Sequence, residues 1–183
     1  MENIENKSNC DAMIQLQKLI GLENVKKHFE RYRANYKSCC EGREDVKFNQ
    51  HMVFMGNPGT GKTTVAKLFT NILYEDGLLS RGQFVEATPV DLISDHIGQT
   101  SPKTQAVCDK AKGGVLFIDE AYGLMNDFGQ EAIEVLIQFM MNNDDTVVIF
   151  AGYTNEMKKF LDHTGIRRHF ITDEFYFDDY TNE

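Results

Sequence analysis

The stretch GNPGTGKT, residues 56–63, constrains this chain more than any other feature of the sequence. It fits the pattern G-x-x-x-x-G-K-[ST], in which glycines let backbone N–H groups curl around phosphate oxygens without an obstructing Cβ. The apolar run HMVFM precedes it, and a run with helical spacing begins at Lys62. A strand, a glycine loop and a helix in this order predict a phosphate-binding loop at a helix N-terminus, where the helix dipole favours anions.

The side chains of this glycine loop have distinct predicted roles. Lys62 is predicted to supply a compact positive charge for the β- and γ-phosphates of ATP, and Thr63 to offer its hydroxyl to Mg²⁺. ATP and Mg²⁺ are therefore the expected ligands. The predicted nucleotide-binding residues of the loop and the following turn are Asn57, Pro58, Gly59, Thr60, Gly61, Lys62, Thr63 and Thr64.

A second motif, GGVLFIDEAY, covers residues 113–122 and ends an apolar strand in two adjacent carboxylates. Asp119 is predicted to hold Mg²⁺ directly or through water, and Glu120 to polarise a water for attack on the γ-phosphate. The alternative is an ordinary strand end with helix-capping acids. Beside the glycine loop, the acid pair favours a hydrolase over a kinase-type protein.

A third candidate site follows the apolar run TVVIFAGY. Thr154 and Asn155 are predicted to sense the γ-phosphate and to orient the attacking water, and the alternative is that one of them caps the next helix. A fourth candidate is HTGIRRHF, residues 163–170, where a cationic side chain would stabilise transition-state charge in a neighbouring subunit. The alternative there is a solvated basic turn. His163 and His169 lack the spacing of metal ligands and are not expected to bind metal.

Strand patterns alternate with helix patterns along most of the chain. This alternation predicts a parallel sheet with helices on both faces and an active site at the carboxyl ends of the strands. We expect a loose tail over residues 1–11, an N-terminal helical segment over 12–45 that is interrupted at Gly21, and the core over 46–183. Predicted strands are 51–55, 82–87, 114–119, 146–153 and 174–177, and predicted helices are 62–74, 101–111, 129–142 and 155–161.

The net charge and the spacing of the cysteines restrict the expected binding partners and the expected cellular compartment of the protein. The net charge is −9 and the pI is about 5.0, which argues against a nucleic-acid or anionic-membrane surface. The sequence has no apolar run that could span a bilayer and no signal-peptide core at its start. The four cysteines lack zinc-ligand spacing, so we expect reduced thiols in a cytoplasmic protein, with Cys108 in the core.

Together these motifs resemble the AAA+ ATPases of the CbxX/CfqX type, which include rubisco activases, stage V sporulation protein K and type VII secretion ATPases. The resemblance begins near Leu19 and is most specific in IGQTSPKT and GGVLFIDEAY. It implies a P-loop NTPase fold, with three αβα layers around a five-stranded parallel sheet, and adenine contacts from Ile20, Gly21 and Leu22. It also implies a hexameric ring that binds ATP between subunits and remodels a protein partner by pulling it through a central pore.

Three features differ from the pattern of that family. The pore-loop triplet is His96-Ile97-Gly98, where relatives have an aromatic residue before Ile-Gly. At the arginine-finger position this chain has His169, and an imidazole cannot replace a guanidinium fork, so Arg168 or Arg167 would have to take that role. The sequence ends at DDYTNE, where relatives continue into a helical lid, so the core is expected without a lid.

Two functions therefore remain as alternatives. The first is Mg-dependent ATP hydrolysis coupled to remodelling of a protein partner, and the placed base Glu120 supports it. The second is a nucleotide-dependent binding or assembly module with little intrinsic hydrolysis, which the three departures favour. A DNA-directed ATPase would fit the fold but not the acidic charge balance.

Overall fold

Five parallel strands form the centre of the protein, and helices cover both faces of the sheet. The structure, a computed structural model, describes residues 9–40 and 51–179, with the backbone alone for residues 9–11, 39, 40, 168, 169 and 172. In chain order the elements are α1 (Asn9–Lys18), α2 (Glu23–Cys40), β1 (His51–Gly56), α3 (Lys62–Glu75), β2 (Phe84–Ala87), α4 (Pro89–Leu92), α5 (Thr100–Ala111), β3 (Val115–Ile118), a 3-10 turn (Ala121–Leu124), α6 (Gly129–Asn142), β4 (Val147–Gly152), α7 (Thr154–Thr164), α8 (Ile166–His169) and β5 (Ile171–Phe177).

The strand order places the predicted motifs side by side. The order is β2-β3-β4-β1-β5, and every neighbouring pair is parallel. All residues of β1, β3 and β4 are buried, as expected for strands that helices cover on both faces. The predicted five-stranded αβα fold is confirmed, and the carboxyl ends of these three inner strands meet at one edge of the sheet.

Each face of the sheet carries its own hydrophobic core. On one face, α1, α2 and α3 form the α1–α3 core, which includes Leu16, Phe29, Phe54, Phe69 and Phe175. On the other face, α5, α6 and α7 form the α5–α7 core, which includes Cys108, Leu116, Leu136, Phe150 and Phe160. Cys108 has no exposed surface, and burial raises the pKa of its thiol to about 12, so it is a core residue as expected.

The helices and strands begin and end close to the predicted positions, with three short additions. The break predicted at Gly21 separates α1 from α2, and α1 begins at Asn9, inside the predicted tail. The additions are α4, the 3-10 turn and α8, each only four residues long and therefore too short to show a hydrophobic period. Residues 1–8, 41–50 and 180–183 of the predicted segments lie outside the described residues.

An ion pair joins α2 to the end of the helix that follows the glycine loop. Asp76 caps the C-terminus of α3, where the helix dipole disfavours a carboxylate, and its side chain is only 4% exposed. Arg33 donates from Nε and Nη2 to the two carboxylate oxygens of Asp76 at 2.6 and 2.7 Å. This bidentate contact compensates the buried charge and fixes α2 against α3.

A buried histidine in β1 should make stability depend on pH. His51 is 4% exposed, and its Nδ1 accepts a hydrogen bond from the Val148 N–H at 3.0 Å. Burial lowers the pKa of His51 to about 4, against the opposing effect of a hydrogen bond with the Met140 backbone. Between pH 6.5 and 4 the unfolded chain therefore binds more protons than the folded one, and stability falls as pH falls, by about 3 kcal/mol over the window.

The check is the free energy of unfolding in urea, measured at several pH values from 7 to 4. His51→Gln removes the titrating group and is expected to flatten the pH dependence, whatever its effect on stability at pH 7. Equal pH dependence in the parent and the variant would contradict the assignment of this effect to His51.

None of the described helices is long and apolar enough to cross a bilayer.

Candidate functional site

A cavity of about 340 Å³ lies at the carboxyl edge of the sheet, between the glycine loop and the ends of β3 and β4. Both predicted motifs contribute to it, although they are far apart in the sequence. The residues that line it are Gly56, Pro58, Gly59, Gly61, Lys62, Thr63, Thr64, Asp119, Glu120, Tyr122, Gly152 and Tyr153.

The shape of the glycine loop requires glycine at three positions. Gly59 and Gly61 have φ values of 75° and 90°, in the left-handed region that disfavours residues with a Cβ. Gly56 is needed for a different reason, because a Cβ there would lie 2.5 Å from the carbonyl oxygen of Phe177 in β5. Gly61 directly precedes α3, so the loop leads into the N-terminus of that helix.

Lys62 is held against the backbone of its own loop. Its Nζ donates to the carbonyl oxygens of Gly56 and Asn57 at 2.9 and 2.7 Å, and the Thr60 hydroxyl donates to the same Asn57 carbonyl at 2.8 Å. Partial burial lowers the pKa of Lys62, and the negative charge of Asp119 opposes that shift. Asn57 and Thr60 therefore brace the loop without lining the cavity.

The two predicted carboxylates lie across the cavity from the glycine loop. The Asp119 N–H donates to the Ala87 carbonyl at 2.9 Å, and its Oδ1 accepts a hydrogen bond from the Glu120 N–H at 2.9 Å. Glu120 has φ 51° and ψ 39°, a left-handed conformation that costs free energy in a residue with a Cβ. Asp119 thus stabilises a strained turn, and the exposed Glu120 side chain lines the cavity.

Two side chains that line the cavity carry oxygen atoms of the kind that Mg²⁺ prefers. The Thr63 side chain from the first turn of α3 and the Asp119 carboxylate line the same cavity. Mg²⁺ prefers hard oxygen ligands and usually takes one or two from the protein, with waters and substrate phosphates completing the shell. Within residues 9–40 and 51–179 no cluster of three or more His, Cys, Asp or Glu could form an all-protein metal cage.

At the end of β4 the cavity is lined by Gly152 and Tyr153, and not by Thr154 or Asn155. Helix α7 begins at Thr154, so Tyr153 takes the N-cap position, and Asn155 is exposed. The roles of Thr154 and Asn155 stay predictions. Neither side chain is in the set that surrounds the cavity.

Sequence reasoning missed a pair of tyrosines in this site. The rings of Tyr122 and Tyr153 pack with centroids 5.8 Å apart, and a Cβ on Gly152 would lie 2.8 Å from the Tyr122 ring. Burial raises the pKa of the Tyr122 hydroxyl, and the charge of Glu120 raises it further, so this hydroxyl stays protonated. The available signal was position, because both tyrosines follow the ends of buried strands, as Asp119 does.

The segment predicted to contact adenine forms the connection between α1 and α2. Gly21 and Leu22 both have positive φ values, 73° and 59°, and Leu22 packs against the α1–α3 core. Ile20 is 87% exposed, and none of the three residues lines the cavity. Their adenine contacts therefore stay a prediction, although a strained loop that presents an apolar side chain suits a flat apolar ligand.

The basic segment, residues 163–170, runs from the end of α7 through α8. Arg167 donates to Glu174 from Nε and Nη2, both at 2.6 Å, and its Nη1 lies 3.3 Å from an Asp162 oxygen. Glu174 raises the pKa of Arg167. Arg167 is thus engaged by carboxylates of the same chain, whereas the side chains of Arg168 and His169 lie outside the described residues.

The predicted pore-loop triplet lies between α4 and α5. Ile97 is 95% exposed, His96 is also exposed, and Gly98 has φ 77°. A turn of this kind holds an apolar side chain almost entirely out in solvent.

The sequence matches the family model "ATPase family associated with various cellular activities (AAA)" over residues 52–177. It is 44% identical over 172 residues to the chromosomal CbxX protein of Cupriavidus necator, covering 88% of this chain and 54% of that protein. It is 41% identical over 156 residues to stage V sporulation protein K of Bacillus subtilis, covering 80% of this chain and 48% of that protein. It is 47% identical over 139 residues to the chloroplastic ribulose bisphosphate carboxylase/oxygenase activase of Cyanidioschyzon merolae, covering 73% and 47%.

This chain therefore spans about half the length of the curated relatives that it matches. Among solved structures, a variant of the Thermotoga maritima RuvB protein is similar with a TM-score of 0.59 at 22% identity, covering 91% of this chain and 48% of that one. A chain of the E. coli MS115-1 HORMA:CdnC:Trip13 complex is similar with a TM-score of 0.60 at 13% identity, covering 93% and 67%. At these identities the structural likeness concerns the fold alone.

Proposed function

Because this chain belongs to the AAA family of ATPases, and within it to the CbxX/CfqX type, we propose that it binds ATP with Mg²⁺ and hydrolyses it. One observation supports this more than any other. Lys62 and Thr63 of the glycine loop line the same cavity as Asp119 and Glu120 at the end of β3. The groups that we propose to bind phosphate would therefore lie beside the proposed base, as phosphoryl transfer to water requires.

The glycine loop would bind the phosphates. The ammonium of Lys62 would exchange the carbonyls of Gly56 and Asn57 for oxygens of the β- and γ-phosphates. The loop N–H groups and the N-terminus of α3 would add to this binding. Thr63 and Asp119 would hold Mg²⁺, which neutralises phosphate charge when bound.

Glu120 would act as the general base. Its carboxylate would accept the proton of a water and orient that water toward the γ-phosphate. The left-handed turn, which the bond between Asp119 and the Glu120 N–H stabilises, fixes the direction from which the carboxylate enters the cavity. The paired rings of Tyr122 and Tyr153, which also line the cavity, would limit the access of bulk water to it.

We also propose that subunits complete each other's sites in a ring, with Arg168 as the residue that acts in trans. Arg167 is a poorer candidate because Glu174 and Asp162 already hold its guanidinium. Freeing it would break at least one charge-assisted contact in every subunit.

Arg168→Ala is expected to lower ATP hydrolysis about a hundredfold or more and to leave ATP binding intact, because a guanidinium from a neighbour acts on the transition state. The measurement is steady-state turnover beside equilibrium ATP binding. Arg167→Ala is the matched control and is expected to retain more activity. His169→Arg is expected to change little; a large gain in activity would show that the finger belongs at position 169 instead.

The experiment that tests the function is ATP hydrolysis by this chain over a wide range of protein concentration, with Glu120→Gln as the blank. A specific activity that rises with concentration is expected, because assembly completes the sites. A flat rate near the blank, with ATP still bound, would support the alternative of a nucleotide-dependent binding module with little hydrolysis. The engagement of Arg167 is the observation that favours this alternative.

The work that hydrolysis drives is proposed to be the remodelling of a protein partner. One relative is named as an activase of ribulose bisphosphate carboxylase/oxygenase, which is itself a protein. The exposed Ile97 offers an apolar contact for a polypeptide. Salt-sensitive stimulation of ATP hydrolysis by DNA would contradict this proposal.

A further inference from the structure

The glycine loop is tied to the segment that leaves the last strand. The Asn57 side-chain amide donates to both carboxylate oxygens of Asp179, at 2.9 Å each. Asp179 is the second residue after β5, which ends at Phe177. The same Asn57 offers its carbonyl to the Lys62 ammonium at 2.7 Å and to the Thr60 hydroxyl at 2.8 Å. One residue thus connects the segment after β5 to the lysine proposed to bind phosphate.

A second contact brings the same two segments together. Gly56 pairs with Phe177 in the parallel register of β1 and β5. The backbones are so close there that a Cβ on Gly56 would lie 2.5 Å from the Phe177 carbonyl oxygen. The glycine loop therefore begins beside the end of β5. This close pairing keeps Asn57 near the residues that follow β5, including Asp179.

We propose that Asp179 is a positioning residue for nucleotide binding, acting through Asn57. By holding the Asn57 amide, Asp179 sets the orientation of the residue whose carbonyl accepts the Thr60 hydroxyl, and with it the shape of the loop that would surround the phosphates after Lys62 turns to them. The inference rests on the proposed nucleotide binding and deepens it. It adds a residue outside both motifs and assigns a role to the start of the segment that follows β5.

Charge alone does not explain an acid at this position. A carboxylate beside a phosphate site repels the ligand, so Asp179 acts against binding unless its hydrogen bonds outweigh that repulsion. Asp178 carries the same charge one residue earlier, and in the described part of the chain its side chain makes no hydrogen bond or ion pair. Comparing substitutions of Asp178 and Asp179 therefore separates the effect of the negative charge from the effect of the Asn57–Asp179 contact.

The contact also implies coupling in the reverse direction. If Asp179 strengthens nucleotide binding, nucleotide binding must stabilise the Asn57–Asp179 contact by the same factor, since linkage is reciprocal. The segment after β5 would then respond to whether the loop holds a nucleotide.

The test is equilibrium binding of a fluorescent N-methylanthraniloyl ADP, with Mg²⁺, to the parent and five variants. Asp179→Ala and Asn57→Ala are each expected to weaken binding about fivefold, and the double variant no more than either single one. Asp179→Asn keeps an oxygen that can accept from Asn57 and is expected to stay within about twofold of the parent. Asp178→Ala, the charge control, is expected to show no weakening.

The outcomes separate this inference from the proposed function. If the parent itself does not bind the nucleotide, the proposed function fails. If the parent binds the nucleotide and Asp179→Ala has the same affinity as Asp178→Ala, the positioning role of Asp179 is overturned. It is also overturned if the double variant loses affinity by the product of the two single losses, because the two residues would then act independently. Without nucleotide, the unfolding temperatures of Asp178→Ala and Asp179→Ala are expected to agree within about 2 °C. A larger fall for Asp179→Ala alone would show that the residue acts on overall stability and would also overturn the positioning role.

Discussion

Replacing Lys62 by alanine is expected to weaken ATP binding about a hundredfold or more. Among the described residues that line the cavity, Lys62 is the only one with a positive side chain, whereas Asp119 and Glu120 are negative. Hydrogen bonds to charged groups contribute about 1.5–3 kcal/mol each, and a loss of about 2.7 kcal/mol is about a hundredfold in Kd. Without the ammonium, Asp119 and Glu120 would repel the phosphates, and no positive side chain of the described cavity lining would offset that repulsion.

The loss should be one of binding and not of folding. Partial burial lowers the pKa of Lys62, which means that its charged form is already disfavoured by the fold, so the truncation should not reduce stability greatly. Lys67→Ala is the matched control in the same helix, since Lys67 lies 4.0 Å from Glu86 on the surface and outside the cavity. Isothermal titration with ATP and Mg²⁺ is the measurement. A Lys62→Ala protein that bound ATP within about threefold of the parent would show that the loop holds its ligand by backbone groups alone.

The parts of the site that sequence predicted are those encoded by short local patterns. The loop at residues 56–63 has glycines wherever the backbone turns left or approaches β5, so its shape can be read without knowing the fold. Asp119 and Glu120 follow a run of buried residues directly, and in a parallel sheet the residues after buried strands share one edge. The proximity of the two motifs was therefore predictable from the alternation of strands and helices.

The parts that sequence did not predict depend on distances between segments remote in the chain. Tyr122 and Tyr153 meet only because β3 and β4 are neighbours, and neither carries a charge or a motif that marks it. The contact between Asn57 and Asp179 joins residues 122 positions apart and requires β5 to lie beside β1. The pairing of Arg167 with Glu174 likewise depends on how α8 turns back onto β5.

Replacing Glu120 by glutamine is expected to leave ATP binding close to that of the parent and to lower turnover about 10²–10⁴-fold. A general base contributes a factor of that size, and an amide cannot accept the proton of the attacking water. The substitution should disturb the turn little, because the bond that stabilises it runs from the Glu120 backbone N–H to Asp119 and does not involve the Glu120 side chain. The amide has nearly the same size and keeps an oxygen that can bind water.

The measurement is turnover of bound ATP under single-turnover conditions and at one protein concentration, so that product release does not mask the chemical step. Glu131→Gln in α6 makes the same chemical change at an exposed acid outside the cavity, and its rate is expected to equal that of the parent. The variants Lys62→Ala and Glu120→Gln test the two sides of the cavity separately. Lys62→Ala should lose ATP binding, whereas Glu120→Gln should lose only the chemical step. A Glu120→Gln protein that hydrolysed ATP at the parent rate would remove Glu120 from the role of base, and the strained turn at φ 51° would then need another explanation.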